Sequence, residues 1–233
     1  MFTVLSSLIL AVFVVVAIIH LVRCYQLNLG LSDITKFFLM PLLAVFYIIA
    51  CFPFPFTTIN VLVLCALLFF WIGDILLIYD WERPSFFFGI LTFFLAQIAL
   101  IVVAIILFQS FSFNILLGIL IAIIYIIILA IKLIFLRKPF EFIGLQALAT
   151  CYLISTTVLS FLLLMLAIAT PNVYTILMAI GGICFMLSDY HVIQEYYIGG
   201  TNLSRFWIML GYLIGTCLIV VGCAGMQSLL ATV

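Results

Sequence analysis

Residues 59–79 read INVLVLCALLFFWIGDILLIY, an apolar run holding a single charge, Asp74, well inside it. A helix crosses the hydrocarbon layer in about 20 mostly apolar residues, so this stretch predicts a transmembrane helix. Seven more stretches read the same way: 4–22, 37–52, 86–108, 113–136, 142–168, 172–193 and 206–230. Alternating strand patterns are absent from the sequence. Helices are then the one way left for the backbone to satisfy its own hydrogen bonds in lipid. The expected fold is all-α: a polytopic membrane protein of eight transmembrane helices, one domain over residues 1–233. Composition agrees, at 70% hydrophobic and 6% charged with a mean hydropathy of +1.61, which leaves no stretch for a soluble domain. The first span has neither a basic leading region nor a small-residue cleavage site, so it reads as a retained helix.

Charge is distributed on one side. Arg23, Asp33, Lys36, Asp80, Glu82, Arg83, Arg137, Lys138, Glu141, Glu195 and Arg205 all fall in the connections after spans 1, 3, 5 and 7. Lys132, one turn inside the fifth span, reaches the same interface by snorkelling. The other connections and both termini carry no charged side chain. Basic residues in short loops face the cytoplasm. Both termini are then expected on the other side, in a bacterial inner membrane or an endoplasmic reticulum membrane. The net charge is zero, which speaks against nucleic acid as a partner. Of the seven cysteines none forms a CxxC pair and six lie within spans, where they act as small apolar residues and not as disulfides or metal ligands.

The seventh span carries a second intramembrane carboxylate. Residues 182–192 read GICFMLSDYHV, with Asp189 among them. A carboxylate near the bilayer midplane costs about 2.5–3.5 kcal/mol on insertion scales and marks a functional interior. Asp74 and Asp189 stand 115 residues apart, and the same offset relates Arg23 to Lys138 and Asp80 to Glu195. Each Asp precedes an acidic residue at its helix end by six positions, about 9 Å of helix at 1.5 Å per residue. Two parallel four-helix halves would produce this spacing, and so would chance among charges confined to similar loops. Equal depth brings both carboxylates within reach of one cavity under either reading.

Two carboxyl groups in a low-dielectric pocket do not both ionise cheaply, so one is expected to hold a proton while the other stays charged. The pair then offers an acid and a base suited to cleaving an ether or acetal-like bond. Around them the sequence offers few polar groups: Ser188 and Tyr190 beside Asp189, Tyr125 in the fifth span, Gln97 and Gln146 in the fourth and sixth, and Lys36 and Arg23 at the rim. The bland alternative has each Asp pairing with Lys36 or Arg23 merely to fasten the bundle. His20 and His191 end spans 1 and 7, but two histidines with no i, i+4 pair make a poor metal signature and suit helix caps better. No metal and no cofactor is expected.

Several of these residues fall into a pattern that resembles the lysoplasmalogenase (YhhN-like) membrane family, an eight-span family of similar chain length. Gly73-Asp74 with Leu76-Leu77 resembles its third-span motif, and Ala179, Gly182, Phe185 and Ser188-Asp189 resemble its seventh-span motif. Thr35-Lys36 resembles a Thr-Lys-Pro segment with Phe37 in place of the proline. Gly89 and Phe93 fit the fourth span, where Gln97 replaces an expected His and Leu100 an expected Tyr; Tyr212 fits the eighth, without the Gln expected nearby. The resemblance implies hydrolysis of the vinyl ether bond of a lysophospholipid to a fatty aldehyde and a glycerophospho-base. Asp74 and Asp189 would be the catalytic pair in a cavity open to membrane lipids. Lys36, Arg23 or Arg137–Lys138 would meet the phosphate, Ser188 and Tyr190 would orient Asp189 or water, and Tyr125 would border the substrate. Two rivals stand beside this reading: a proton-coupled transporter gated by the same carboxylates, and a metal-dependent lipid hydrolase resembling alkaline ceramidases.

Overall fold

The computed structural model describes residues 3–26, 29–79, 83–108, 114–135, 143–198 and 201–230. It contains eight helices and, among the described residues, no strand: α1 (Val4–Tyr25), α2 (Leu29–Cys51), α3 (Thr58–Tyr79), α4 (Arg83–Phe108), α5 (Ile115–Phe135), α6 (Ile143–Ala169), α7 (Val173–Ile198) and α8 (Asn202–Leu230). All eight are long and apolar enough to cross a membrane, so the chain is an integral multi-pass membrane protein. Several helices run past the expected apolar limits. α2 begins at Leu29, α4 at Arg83 and α8 at Asn202, while α7 continues to Ile198. Polar residues at a membrane boundary end the apolar run without ending the helix, because the backbone keeps its i→i−4 bonds into the interface.

Local chemistry accounts for the breaks. On the uncharged face, short polar side chains cap the helix starts. The Thr3 hydroxyl accepts from Ser6 N–H, Asn114 Oδ1 from the Leu116 and Leu117 amides, and Asn172 Oδ1 from those of Tyr174 and Thr175. On the charged face, Thr201 and Ser204 cap α8 reciprocally, each side chain accepting the other's amide. Pro41 lies inside α2 and has no N–H for the carbonyl of Phe37 four residues earlier. The Trp71 indole of α3 donates to that carbonyl at 2.9 Å, so the defect in one helix becomes a fastening to its neighbour.

The helices pack in two similar sets. Within the first half α1 lies on α2, α2 on α3 and α3 on α4; in the second α5 lies on α6, α6 on α7 and α7 on α8. The halves join through α4 against α6 and through α1 and α2 against α8; α4–α6 and α2–α8 exchange when each helix is replaced by its counterpart four places on. The α1–α8 contact has no comparable counterpart between α5 and α4 among the described residues, so the two sets are packed alike only in part. The tightest seam is α7–α8, where a Cβ added at Gly215 would stand 2.8 Å from Phe185 N and 2.9 Å from the Gly181 carbonyl. Small residues let backbones approach this closely in lipid. α5, by contrast, exposes Ile119, Ile123, Ile126 and Ile127; an all-apolar surface needs no protein partner in hydrocarbon.

Candidate active site

Asp74 on α3 and Asp189 on α7 are both buried, at 1% and 2% exposure, and both line one cavity of about 250 Å³. Seven helices supply its walls, all but α5. It runs from the carboxylates to Glu195 and Arg205 at the charged ends of α7 and α8. Leu77, Ile78, Ile90, Ile208 and Met209 give it apolar sides. Deeper in the bundle, the rings of Phe70, Phe93, Phe185 and Tyr212 pack with centroids 5.4–6.0 Å apart and close its floor.

The two carboxylates have different partners. Lys36 Nζ lies 3.3 Å from Asp74 Oδ1, and the Tyr212 hydroxyl donates to Asp74 Oδ2 at 2.9 Å. Asp74 therefore has a cation beside it and a neutral donor across from it. The Gln97 amide donates to Asp189 Oδ2 at 2.7 Å, and Ser155 in turn donates to the Gln97 carbonyl. The Tyr152 hydroxyl is also directed at Asp189. Asp189 feels the positive charge of Lys132, whose Nζ donates to the Met186 carbonyl at 3.4 Å and stands 5.5 Å from the Tyr190 ring centroid. Next to the Lys36 side, His20 Nδ1 is 3.0 Å from the Thr35 hydroxyl and His20 Nε2 is 3.4 Å from Cys24 Sγ. Among the described residues no three His, Cys, Asp or Glu side chains converge as a metal ion would require.

At the rim, Arg205 Nε donates to Glu195 Oε1 at 3.0 Å. Burial raises the Glu195 pKa above its ordinary value, against the opposing pull of Arg205, because removing water penalises the charged form.

Of the residues singled out from sequence, Asp74, Asp189, Lys36 and Ser188 line the cavity. The Ser188 hydroxyl donates to the Ile208 carbonyl at 2.7 Å, which ties α7 to α8 and orients the adjacent Asp189 through the backbone. Three others stand elsewhere. Tyr190 turns to Lys132 and His191. Tyr125 shares a hydrogen bond with Ser160 at 3.1 Å and packs on Phe161. Arg23 lies at the charged end of α1, apart from the cavity lining. Arg137 and Lys138 are outside the described residues. Sequence reasoning missed Tyr152 altogether, and it saw Gln97, Tyr212, Glu195 and Arg205 without seeing that they meet the carboxylates or the rim. A tyrosine or amide within a span was the available signal, since a polar group there must find an internal partner.

The sequence model of one family, described as the YhhN family, matches residues 31–223, most of the chain. No curated protein and no solved structure matches it.

Proposed function

The chain belongs to the YhhN family, and from that premise we propose that it is a membrane-embedded hydrolase of lysoplasmalogens, cleaving the vinyl ether bond to release a fatty aldehyde and a glycerophospho-base. The observation that carries this reading is the pair of buried carboxylates in one cavity with unlike partners. Asp189, held by neutral donors, serves as the acid: Oδ2 is engaged by Gln97 and Oδ1 carries the proton. Asp74, beside the Lys36 ammonium, serves as the carboxylate.

The steps follow from vinyl ether chemistry. Asp189 transfers its proton to the β-carbon of the alkenyl chain, and the double-bond electrons form the new C–H bond. The ether oxygen then shares the positive charge as an oxocarbenium ion, which the Asp74 carboxylate stabilises electrostatically. A water adds to the oxygen-bearing carbon and gives up a proton to a carboxylate. The hemiacetal collapses as its hydroxyl proton moves, through the same pair, to the leaving glycerol oxygen. The net change is consumption of one water. The alkyl chain lies along the apolar side walls and leaves toward lipid, since the aromatic floor bars a straight path. That floor also weighs against the transporter, which needs a polar path to the opposite face. On this reading the charged loops face the cytoplasm and both termini lie on the other side of the membrane.

The test is incubation of the purified protein with an alkenyl lysophospholipid and, separately, its acyl counterpart. Aldehyde from the first and no fatty acid from the second is the expected result; fatty acid from the acyl lipid, or no aldehyde, removes the proposal.

A further inference from the structure

We propose that Glu195 and Arg205 form the head-group subsite at the cavity mouth, Arg205 binding the phosphate and Glu195 the primary ammonium of an ethanolamine head group, in preference to choline. The inference rests on the lysophospholipid reading above and adds to it which head group is selected and by which residues.

Glu195 lines the cavity and is only 6% exposed. Its carboxylate is favoured by Arg205, which donates to Oε1, and by the nearby Ser204 hydroxyl, while its buried Oε2 has no hydrogen bond of good geometry among the described residues. A buried carboxylate oxygen without a donor carries an uncompensated desolvation cost, which a ligand N–H relieves. An ethanolamine ammonium, like that of lysine, has three N–H donors; the trimethylammonium of choline has none. Arg205 binds Glu195 through Nε alone. Its two terminal amino groups remain for the phosphate in the charge-assisted geometry that guanidinium favours.

Spacing supports the same assignment. Asp189, Val192 and Glu195 line the cavity from α7, and Arg205, Met209 and Tyr212 from α8, so one ladder on each helix runs from chemistry to mouth. Glu195 lies six residues beyond Asp189, about 9 Å along the helix. In a lysoplasmalogen, seven bonds separate the alkenyl β-carbon from phosphorus, about 8 Å at the ~1.2 Å per bond of an extended chain. A lipid with its alkenyl carbon at Asp189 therefore brings its phosphate level with Arg205 and its ammonium to Glu195. The zwitterionic head group and the Glu–Arg pair complement each other charge for charge.

Binding of saturated alkyl-ether lysophospholipids, which have no vinyl ether to cleave, isolates the head group. Calorimetry on the purified full chain should show the ethanolamine lipid bound about tenfold tighter than the choline lipid, as one charge-assisted hydrogen bond implies. Affinity should fall stepwise through the N-methyl and N,N-dimethyl analogues, a series that needs no variant. Glu195→Gln should bring the two lipids within about twofold by weakening ethanolamine alone, and Arg205→Gln should weaken both alike. Equal wild-type affinities, or a preference that survives in Glu195→Gln, would overturn the proposal. Soluble glycerophosphoethanolamine binding as tightly as the lipid would overturn the lipid assignment. Aldehyde release from the alkenyl lipids is measured in parallel: head-group preference without aldehyde removes the hydrolase reading and leaves the subsite, and aldehyde without preference does the reverse.

Discussion

Tyr212 and Asp74 stand 138 residues apart in sequence and meet at 2.9 Å, hydroxyl to Oδ2. The bond links α8 to α3 at the depth of the carboxylates, while the Tyr212 ring helps to build the aromatic floor with Phe70, Phe93 and Phe185. One side chain thus closes the cavity below and orients one acid within it. Tyr212→Phe keeps the ring and removes only the hydroxyl. A neutral donor to a charged acceptor contributes about 1.5–3 kcal/mol, so kcat for aldehyde release should fall roughly 10–100-fold with KM little changed. An unaltered kcat in a folded variant would deny Tyr212 that positioning role.

Lys36 gives the second prediction. Its side chain is 14% exposed and its ammonium faces an Asp74 that is almost wholly enclosed. Lys36→Met strands a buried negative charge, a change that costs about 3–5 kcal/mol, and should lower the unfolding temperature in detergent strongly. Adding Asp74→Asn removes that charge, so the double variant should recover most of the lost stability and none of the activity. Equal and additive losses in the two single variants would show that the pair is not coupled.

How much of this was legible in the sequence follows from which forces act locally. The spans were, because hydrocarbon punishes every unpaired polar group and the apolar runs had to be continuous. Asp74 and Asp189 were, because a carboxylate in such a run has few reasons to exist. The apolar runs stop short of the helix ends: α2 starts at Leu29 and α7 continues to Ile198, because a helix continues through the interface. Tyr125 and Tyr190 looked like candidates because depth is readable from sequence. The direction a side chain takes around the helix is not readable, and the packing of an all-apolar bundle decides it. Tyr190 turned to Lys132 and Tyr125 to Ser160, while Tyr152, unnoticed, turned to Asp189. No periodic pattern separates these cases when nearly every neighbour is apolar.

Glycine substitutions supply a third test, of the seam and not of the chemistry. A Cβ at Gly215 would press on backbone atoms, Phe185 N and the Gly181 carbonyl, and only a shift of α8 from α7 relieves it. A Cβ at Gly89 would meet the Leu77 side chain at 2.8 Å, which can turn aside. Overpacking costs about 1–3 kcal/mol, against the ~1 kcal/mol of helix propensity that alanine adds. Gly89→Ala should therefore unfold within a few degrees of the wild type, and Gly215→Ala well below it. Similar melting temperatures for the two would contradict the close α7–α8 approach.

The division of labour between the carboxylates is separable by isotope. If Asp189 donates the proton to carbon and Asp74 supports the cation and the water that captures it, the two asparagine variants fail at different steps. Asp189→Asn has no proton to give, so in D₂O it should produce no aldehyde and leave the recovered lipid unlabelled. Asp74→Asn retains the donor with its Gln97 bond, yet has lost the charge that holds the oxocarbenium ion and draws a proton from water. The cation then returns to vinyl ether by shedding a proton or a deuteron from the β-carbon. Lipid recovered from Asp74→Asn should carry deuterium at that carbon, with aldehyde release down by about 10²–10⁴-fold. Mass spectrometry of the unreacted alkenyl chain reads this directly. Label in the Asp189→Asn lipid and none in the Asp74→Asn lipid would reverse the two roles, and wild-type aldehyde release from either variant would remove the pair from the chemistry.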